Sequence, residues 1–188
     1  MSLQGYFLTV FFIKMIKVLK NDKNISPEEF LQKRRNPIYV ILDNLRSAYN
    51  VGAIFRTCDA FLVKKIFLCG ITAHPPNKKL LKTAMSSELY VPWEYVRETI
   101  DTVNLLQKQG IKVYSCERTT SSKSIENLTF SYPCCLVFGN EANGISKKVL
   151  SASDEIIEIP MMGFKNSLNV ATTAGIILYK VCNNITEN

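Results

Sequence analysis

The sequence predicts an α/β fold in which a parallel sheet is covered on both faces by helices. Three observations predict it. Apolar runs of strand length alternate with segments of helical spacing from residue 36 onward, the pattern of strands buried on both faces. The chain has 188 residues, the size of one domain with a short appendage. Apolar residues make up 47% and charged residues 21%, which allows a substantial core and excludes a disordered or fibrous chain.

The elements follow in order. Ser26-Pro27-Glu28-Glu29 is a helix start, with Ser26 as cap, Pro27 at the first helical position and Glu29 closing a capping box. This helix is expected to run through Phe30 and Leu31 to Arg35. Ile38 to Leu42 is a buried strand, followed by the polar stretch Asp43 to Asn50. A helix over Ala53 to Phe61 comes next, with Asn50 as its cap. Lys65 to Gly70 is a strand, and Asn77 to Met85 a basic segment after a proline-containing loop. Thr99 to Gln109 is a helix closed by Gly110. Ile111 to Cys116, Cys134 to Phe138 and Glu155 to Ile159 are strands. Leu168 to Cys182 has helical apolar spacing and helix length.

Charge narrows the partners. The formal net charge is +7, and residues 1–35 hold seven basic against three acidic side chains. That concentrates +4 of the +7 in the first 35 residues and favours a polyanion, although a solvated basic surface is the plainer alternative. Residues 1–35 are therefore read as a basic N-terminal extension and residues 36–188 as the main α/β domain. The apolar run Tyr6 to Ile13 is too short for a bilayer, which needs roughly 20 residues. No membrane association is expected of it. It is expected to pack on the domain or on a second subunit.

His74 is the single histidine, which argues against a Ser-His-Asp triad or a multi-histidine metal site. No metal is expected. The six cysteines contain no C-x-x-C pair, and four lie in apolar runs, where cysteine behaves as a small hydrophobe. A reduced, cytoplasmic setting fits them better than a disulfide framework.

Parallel α/β sheets bind ligands beyond the carboxyl ends of their strands. No G-x-G-x-x-G is present. Gly139 to Gly144 has P-loop spacing, but Ile145-Ser146 stands where Lys and then Ser or Thr would be needed, so a nucleoside triphosphatase is excluded. Three loops remain. The first carries Arg46, Asn50, Gly52 and Arg56. The second is a strand ending in Phe138-Gly139-Asn140-Glu141-Ala142-Asn143-Gly144. The third runs Ile159-Pro160-Met161-Met162-Gly163 to Ser167-Leu168-Asn169-Val170. Each alone has a plainer reading: a cap and a surface cation, a glycine turn, and methionine core fillers with Ser167 capping the last helix.

Together, in this order and spacing, the three loops resemble the signature motifs of the TrmH (SpoU) family of the SPOUT superfamily, S-adenosylmethionine-dependent RNA ribose 2′-O-methyltransferases. The first motif is matched by Asn50, Gly52 and Arg56. The second is matched by Gly139, Glu141 and Gly144. Ile159 to Gly163 and Ser167 to Val170 match the third. Ala142 stands where the family often has Gly, and Asn140 where Ser is frequent.

The resemblance implies a parallel sheet with a C-terminal deep trefoil knot, which sequence physics alone discounts, and a homodimer. It implies tRNA or rRNA as partner and S-adenosylmethionine as cofactor. Phe138, Gly139, Asn140, Glu141, Gly144, Ile159, Met161, Ser167 and Leu168 would form the cofactor site. Asn50, Arg56, Glu141, Ser167 and Asn169 would form the catalytic set. The family assigns the activating role to the arginine matched by Arg56. A guanidinium is a poor proton acceptor, so it is better suited to holding an RNA phosphate and stabilising a developing alkoxide. Lys33, Arg34, Arg35, Arg46 and Arg56, with Lys78, Lys79 and Lys82 in addition, are expected to contact RNA phosphates. The alternative is a non-catalytic RNA-binding protein that retains the fold.

Overall fold

The run Asn36–Asp43 forms β1, whose side chains alternate between two cores. Ile38, Val40 and Leu42 point to one face of the sheet and Ile41 to the other, all fully buried. The computed structural model describes residues 24–186. Around β1 lie β2 (Val63–Cys69), β3 (Trp93–Val96), β4 (Lys112–Cys116), β5 (Lys123–Ser124), β6 (Cys134–Gly139) and β7 (Glu155–Glu158). They form one sheet in the order β3-β2-β1-β6-β4-β7-β5, and each pairing is parallel.

Among the described residues six α-helices complete the layers: α1 (Pro27–Leu31), α2 (Ala48–Ala60), α3 (Lys78–Ala84), α4 (Thr99–Lys108), α5 (Lys147–Ala152) and α6 (Val170–Thr186). On one face Val51, Ile54 and Phe55 of α2, Leu80 of α3, and Ile177, Leu178 and Val181 of α6 pack on Leu42, Leu136 and Phe138. On the other, Val103 and Leu106 of α4 and Val149 of α5 pack on Ile41, Phe67 and Val137. Each such large apolar side chain contributes roughly 1.5–3 kcal/mol by leaving water. The cysteines belong to these cores: Cys58, Cys69, Cys134 and Cys135 are buried and all six are free. Burial pushes the Cys69 thiol up to about 11.

Several expectations shift at their edges. The first helix stops at Leu31 rather than reaching Arg35. The helix expected from Ala53 begins at Ala48, and its cap is Ser47, whose hydroxyl accepts from the Asn50 N–H at 3.3 Å. Asn50 is therefore not a cap. It lies in the first turn of α2 with its side chain free for other work. The basic segment after the proline loop is helical, capped by Asn77. The strands β3 and β5 were not anticipated, because β3 has only four residues, with Glu94 and Tyr95 exposed.

Residues 27–35 pack on the domain that follows them. Phe30 is buried and meets Tyr90 edge to face at 5.5 Å. Arg35, expected on RNA, is only 8% exposed, and its guanidinium donates to the carbonyls of Val63 and Tyr90. Burial leaves this guanidinium no open face for a phosphate, so Arg35 is a structural cation and its assignment to RNA is corrected. The run Tyr6 to Ile13 and the lysines at 14, 17, 20 and 23 lie outside the described residues.

Candidate active site

The central strands β1 and β6 are hydrogen-bonded neighbours, and they end side by side with Asp43 opposite Gly139. The helix after β1, α2, lies on one face of the sheet, and the helix after β6, α5, lies on the other. The loops leaving these two strands therefore part company, which opens a crevice at the carboxyl ends. The first two loops singled out in the sequence meet at this crevice.

Glu141 ties them together. Its carboxylate accepts from the Arg46 N–H at 2.8 Å, the Ser47 N–H at 3.1 Å and the Asn50 amide at 2.9 Å. Burial pushes the Glu141 carboxyl up, but these donors outweigh it and hold its pKa below the usual carboxylate range. The third loop joins through Asn169, whose amide donates to Asn50 Oδ1 at 3.2 Å. Asn169 Oδ1 also accepts from the N–H groups of Ala171 and Thr172. Asn169 is thus the cap of α6, where Ser167 was expected. Ser167 lies before the helix, exposed, with its hydroxyl donating to Asn166.

Two glycines shape the second loop. A Cβ on Gly139 would stand 2.4 Å from the Ile145 nitrogen. Gly144 has φ +66°, and a Cβ there would stand 2.5 Å from Glu117 Oε2. Asn140 explains its own departure from the serine frequent in the family. Its amide donates to the Asn44 carbonyl at 2.6 Å, and its Oδ1 accepts from the N–H groups of Ala142 and Asn143. One side chain thereby folds the turn and pins it to the loop after β1. Glu117, at the carboxyl end of β4, accepts from the Ile145 N–H at 3.0 Å and fixes the far side of the turn. Sequence reasoning missed Glu117, although its place just after a strand was the signal to look for.

These loops enclose a cleft of about 1180 Å³. Every residue expected to form the cofactor site lines it: Phe138, Gly139, Asn140, Glu141, Gly144, Ile159, Met161, Ser167 and Leu168. Asn169 lines it too, and Asn50 reaches it through Glu141 and Asn169. Arg46 contributes its backbone, and its side chain is exposed beside the cleft. Arg56 does not line it. Six residues beyond Asn50 it is turned by about 240° around α2 and carried about 9 Å along it, and it is exposed. Lys33 and Arg34 are likewise exposed.

Residues 37–179 match the SpoU rRNA Methylase family. The chain belongs to this family. Among its relatives is the tRNA (guanosine(18)-2′-O)-methyltransferase of Thermus thermophilus, 30% identical over 156 residues that cover 81% of this chain and 78% of the relative. The TrmH/SpoU tRNA modifying enzyme of Aquifex aeolicus superposes with a TM-score of 0.74 at 30% identity, covering 86% of this chain and 81% of that one. The AdoMet-bound rRNA methyltransferase of Sinorhizobium meliloti superposes with a TM-score of 0.75 at 27% identity. There the match covers 86% of this chain but 59% of the other, so this SpoU family member spans less than two thirds of that protein.

Proposed function

We propose that the chain is an S-adenosylmethionine-dependent methyltransferase that acts on a ribose 2′-hydroxyl of tRNA or rRNA. The observation that carries this is the Glu141–Asn50–Asn169 network, which draws three sequence-distant motifs of the family onto one cleft.

The cleft fits the cofactor on its own chemistry. Its volume suits a ligand larger than a typical small molecule. Ile159, Met161 and Leu168 offer apolar contact to a neutral purine, with Phe138 and Ile177 buried behind them, and the glycine turn lets backbone come close to it. The carboxylates of Glu117 and Glu141 provide negative charge for the cationic end. When bound, S-adenosylmethionine supplies a methyl group activated by the positive sulfonium. The protein's own share is orientation. Glu141 and Asn169 hold Asn50 in place, and Ser167 and Arg46 stand exposed at the rim for hydrogen bonding to the incoming ribose and phosphate. Arg56, exposed outside the cleft of its own protomer, is suited to holding an RNA phosphate and stabilising the developing alkoxide of an RNA bound across a homodimer.

The finer readings have support of the same kind. After β7 the chain returns across the ends of β4 and β6 to place α6 against α2, the crossing a trefoil knot needs. Tyr49, Ile176 and Tyr179 leave apolar surface on α2 and α6, and Phe164 is fully exposed, which favours a homodimer. No described helix is long and apolar enough to cross a membrane, and a cytoplasmic location suits the RNA substrate. The test is transfer of radiolabelled methyl from S-adenosylmethionine to total tRNA and rRNA, with 2′-O-methyl mapping of the product. A chain that binds RNA without binding S-adenosylmethionine would favour the non-catalytic alternative.

A further inference from the structure

We propose that a second cavity, behind the turn 140–146, binds an unpaired nucleotide of the RNA next to the one whose ribose is methylated. The proposal rests on the methyltransferase reading above. The cavity has a volume of about 480 Å³ and lies beyond the carboxyl ends of β1, β2 and β3, with Asn44, Ile71, Tyr95, Arg97, Ser146 and Lys148 in its walls. A recess of about 460 Å³ adjoins it, shares Gly70, Ile71 and Tyr95, and adds His74. Each volume is large enough for one nucleotide.

Its chemistry is that of a single-strand RNA contact, in which aromatic faces take bases and nearby cations take phosphates. Tyr95 is 45% and Ile71 67% exposed, a large apolar surface for side chains that the core does not use. The His74 ring lies 5.0 Å from Tyr95 and 6.3 Å from Trp93, nearly parallel to the latter at 21°. The edge of the sheet thus carries a row of three rings. Arg97 and Lys148 are exposed and have no ion pair among the described residues. The buried carboxylate of Asp43 is already taken by the Thr99 hydroxyl, the Asn44 amide and the Ser146 N–H. Glu98, exposed at the rim, repels a phosphate locally but accepts from a base amino group.

Position links the cavity to the reaction. The loop after β1 separates the two sites: Asn44 accepts from the Ile71 N–H on the cavity side and from the Asn140 amide on the cleft side. Arg46, two residues on, is exposed and its N–H donates to Glu141 at the cleft. An RNA strand with one base at Tyr95 can pass Arg46 and present its neighbour at the cleft.

The test uses the full chain, fluorescein-labelled decaadenylate RNA followed by anisotropy, and calorimetric titration with S-adenosylmethionine. Tyr95→Ala should weaken RNA binding about tenfold, and Tyr95→Phe should retain it, because stacking needs the ring and not the hydroxyl. Arg97→Ala should lower the salt slope of RNA binding by about one. All three variants should bind S-adenosylmethionine as the unaltered chain does. RNA affinity within twofold of the unaltered chain in Tyr95→Ala, equal loss in Tyr95→Phe, or no decaadenylate binding by the unaltered chain overturns the proposal. If the unaltered chain neither binds S-adenosylmethionine nor methylates any RNA, the underlying reading fails as well.

Discussion

The carboxylate of Glu141 and the amide of Asn50, 91 residues apart in sequence, meet at 2.9 Å. Asn50 passes the contact on, because its own oxygen accepts from Asn169. One asparagine therefore bridges the other two motifs.

Asn50→Ala removes a donor from Glu141 and an acceptor from Asn169. In this exposed setting the loss is expected to cost about 1 kcal/mol of stability, a fall of about 2–4 °C in Tm. S-adenosylmethionine should bind about fivefold more weakly, by an equal loss of free energy. Thermal melting and calorimetric titration check both.

Glu141 also sets an acid limit. Its folded pKa lies below the unfolded carboxylate value of about 4.3. The stability it contributes is therefore complete above that value and is lost as pH falls through the folded pKa. Glu155, lowered by the hydrogen bond from Lys112, behaves in the same direction. The difference in melting temperature between the unaltered chain and Glu141→Gln isolates the first group. It should be constant above about pH 5 and should shrink as the pH falls below about 4.

Gly144→Ala tests the turn. The left-handed backbone at φ +66° costs an alanine about 1–2 kcal/mol, and the new methyl group displaces Glu117 from the Ile145 N–H. Melting should report the strain, and titration should show weakened S-adenosylmethionine binding. A variant with unchanged affinity would separate Glu117 from cofactor binding.

Arg34 and Arg35 should behave as opposites. Arg35→Ala strands two carbonyls that now accept from a buried guanidinium and should cost about 2 kcal/mol of stability. Arg34→Ala should leave melting within about 0.5 kcal/mol and lower the salt slope of RNA binding by about one.

That pair shows where sequence was informative and where it stopped. The run Lys33-Arg34-Arg35 reads as one basic patch, and nothing in it marks the member that turns inward to Tyr90. The interior strands were legible because a strand buried on both faces has to be apolar throughout, as Val40 to Leu42 and Cys134 to Phe138 are. β3 was not, since an edge strand with Glu94 and Tyr95 in solvent has no such signature. Caps slipped for a local reason. Ser47 and Asn50, and again Ser167 and Asn169, are competing cap residues within one turn, and packing chose between them. The residues expected at a cofactor site were legible as motifs, and each lines the cleft. The hydrogen bonds among them span distances in the chain that no local pattern encodes.

The bond between Asn169 and Asn50 closes a loop of 119 residues, and that loop contains most of the sheet. Synthesis supplies Asn50 well before Asn169, with β2 to β7 between them. Parallel pairings of this range form slowly. On the function proposed above, S-adenosylmethionine affinity should therefore report completed folding, because Asn50 and Asn169 meet only once the last helix has docked.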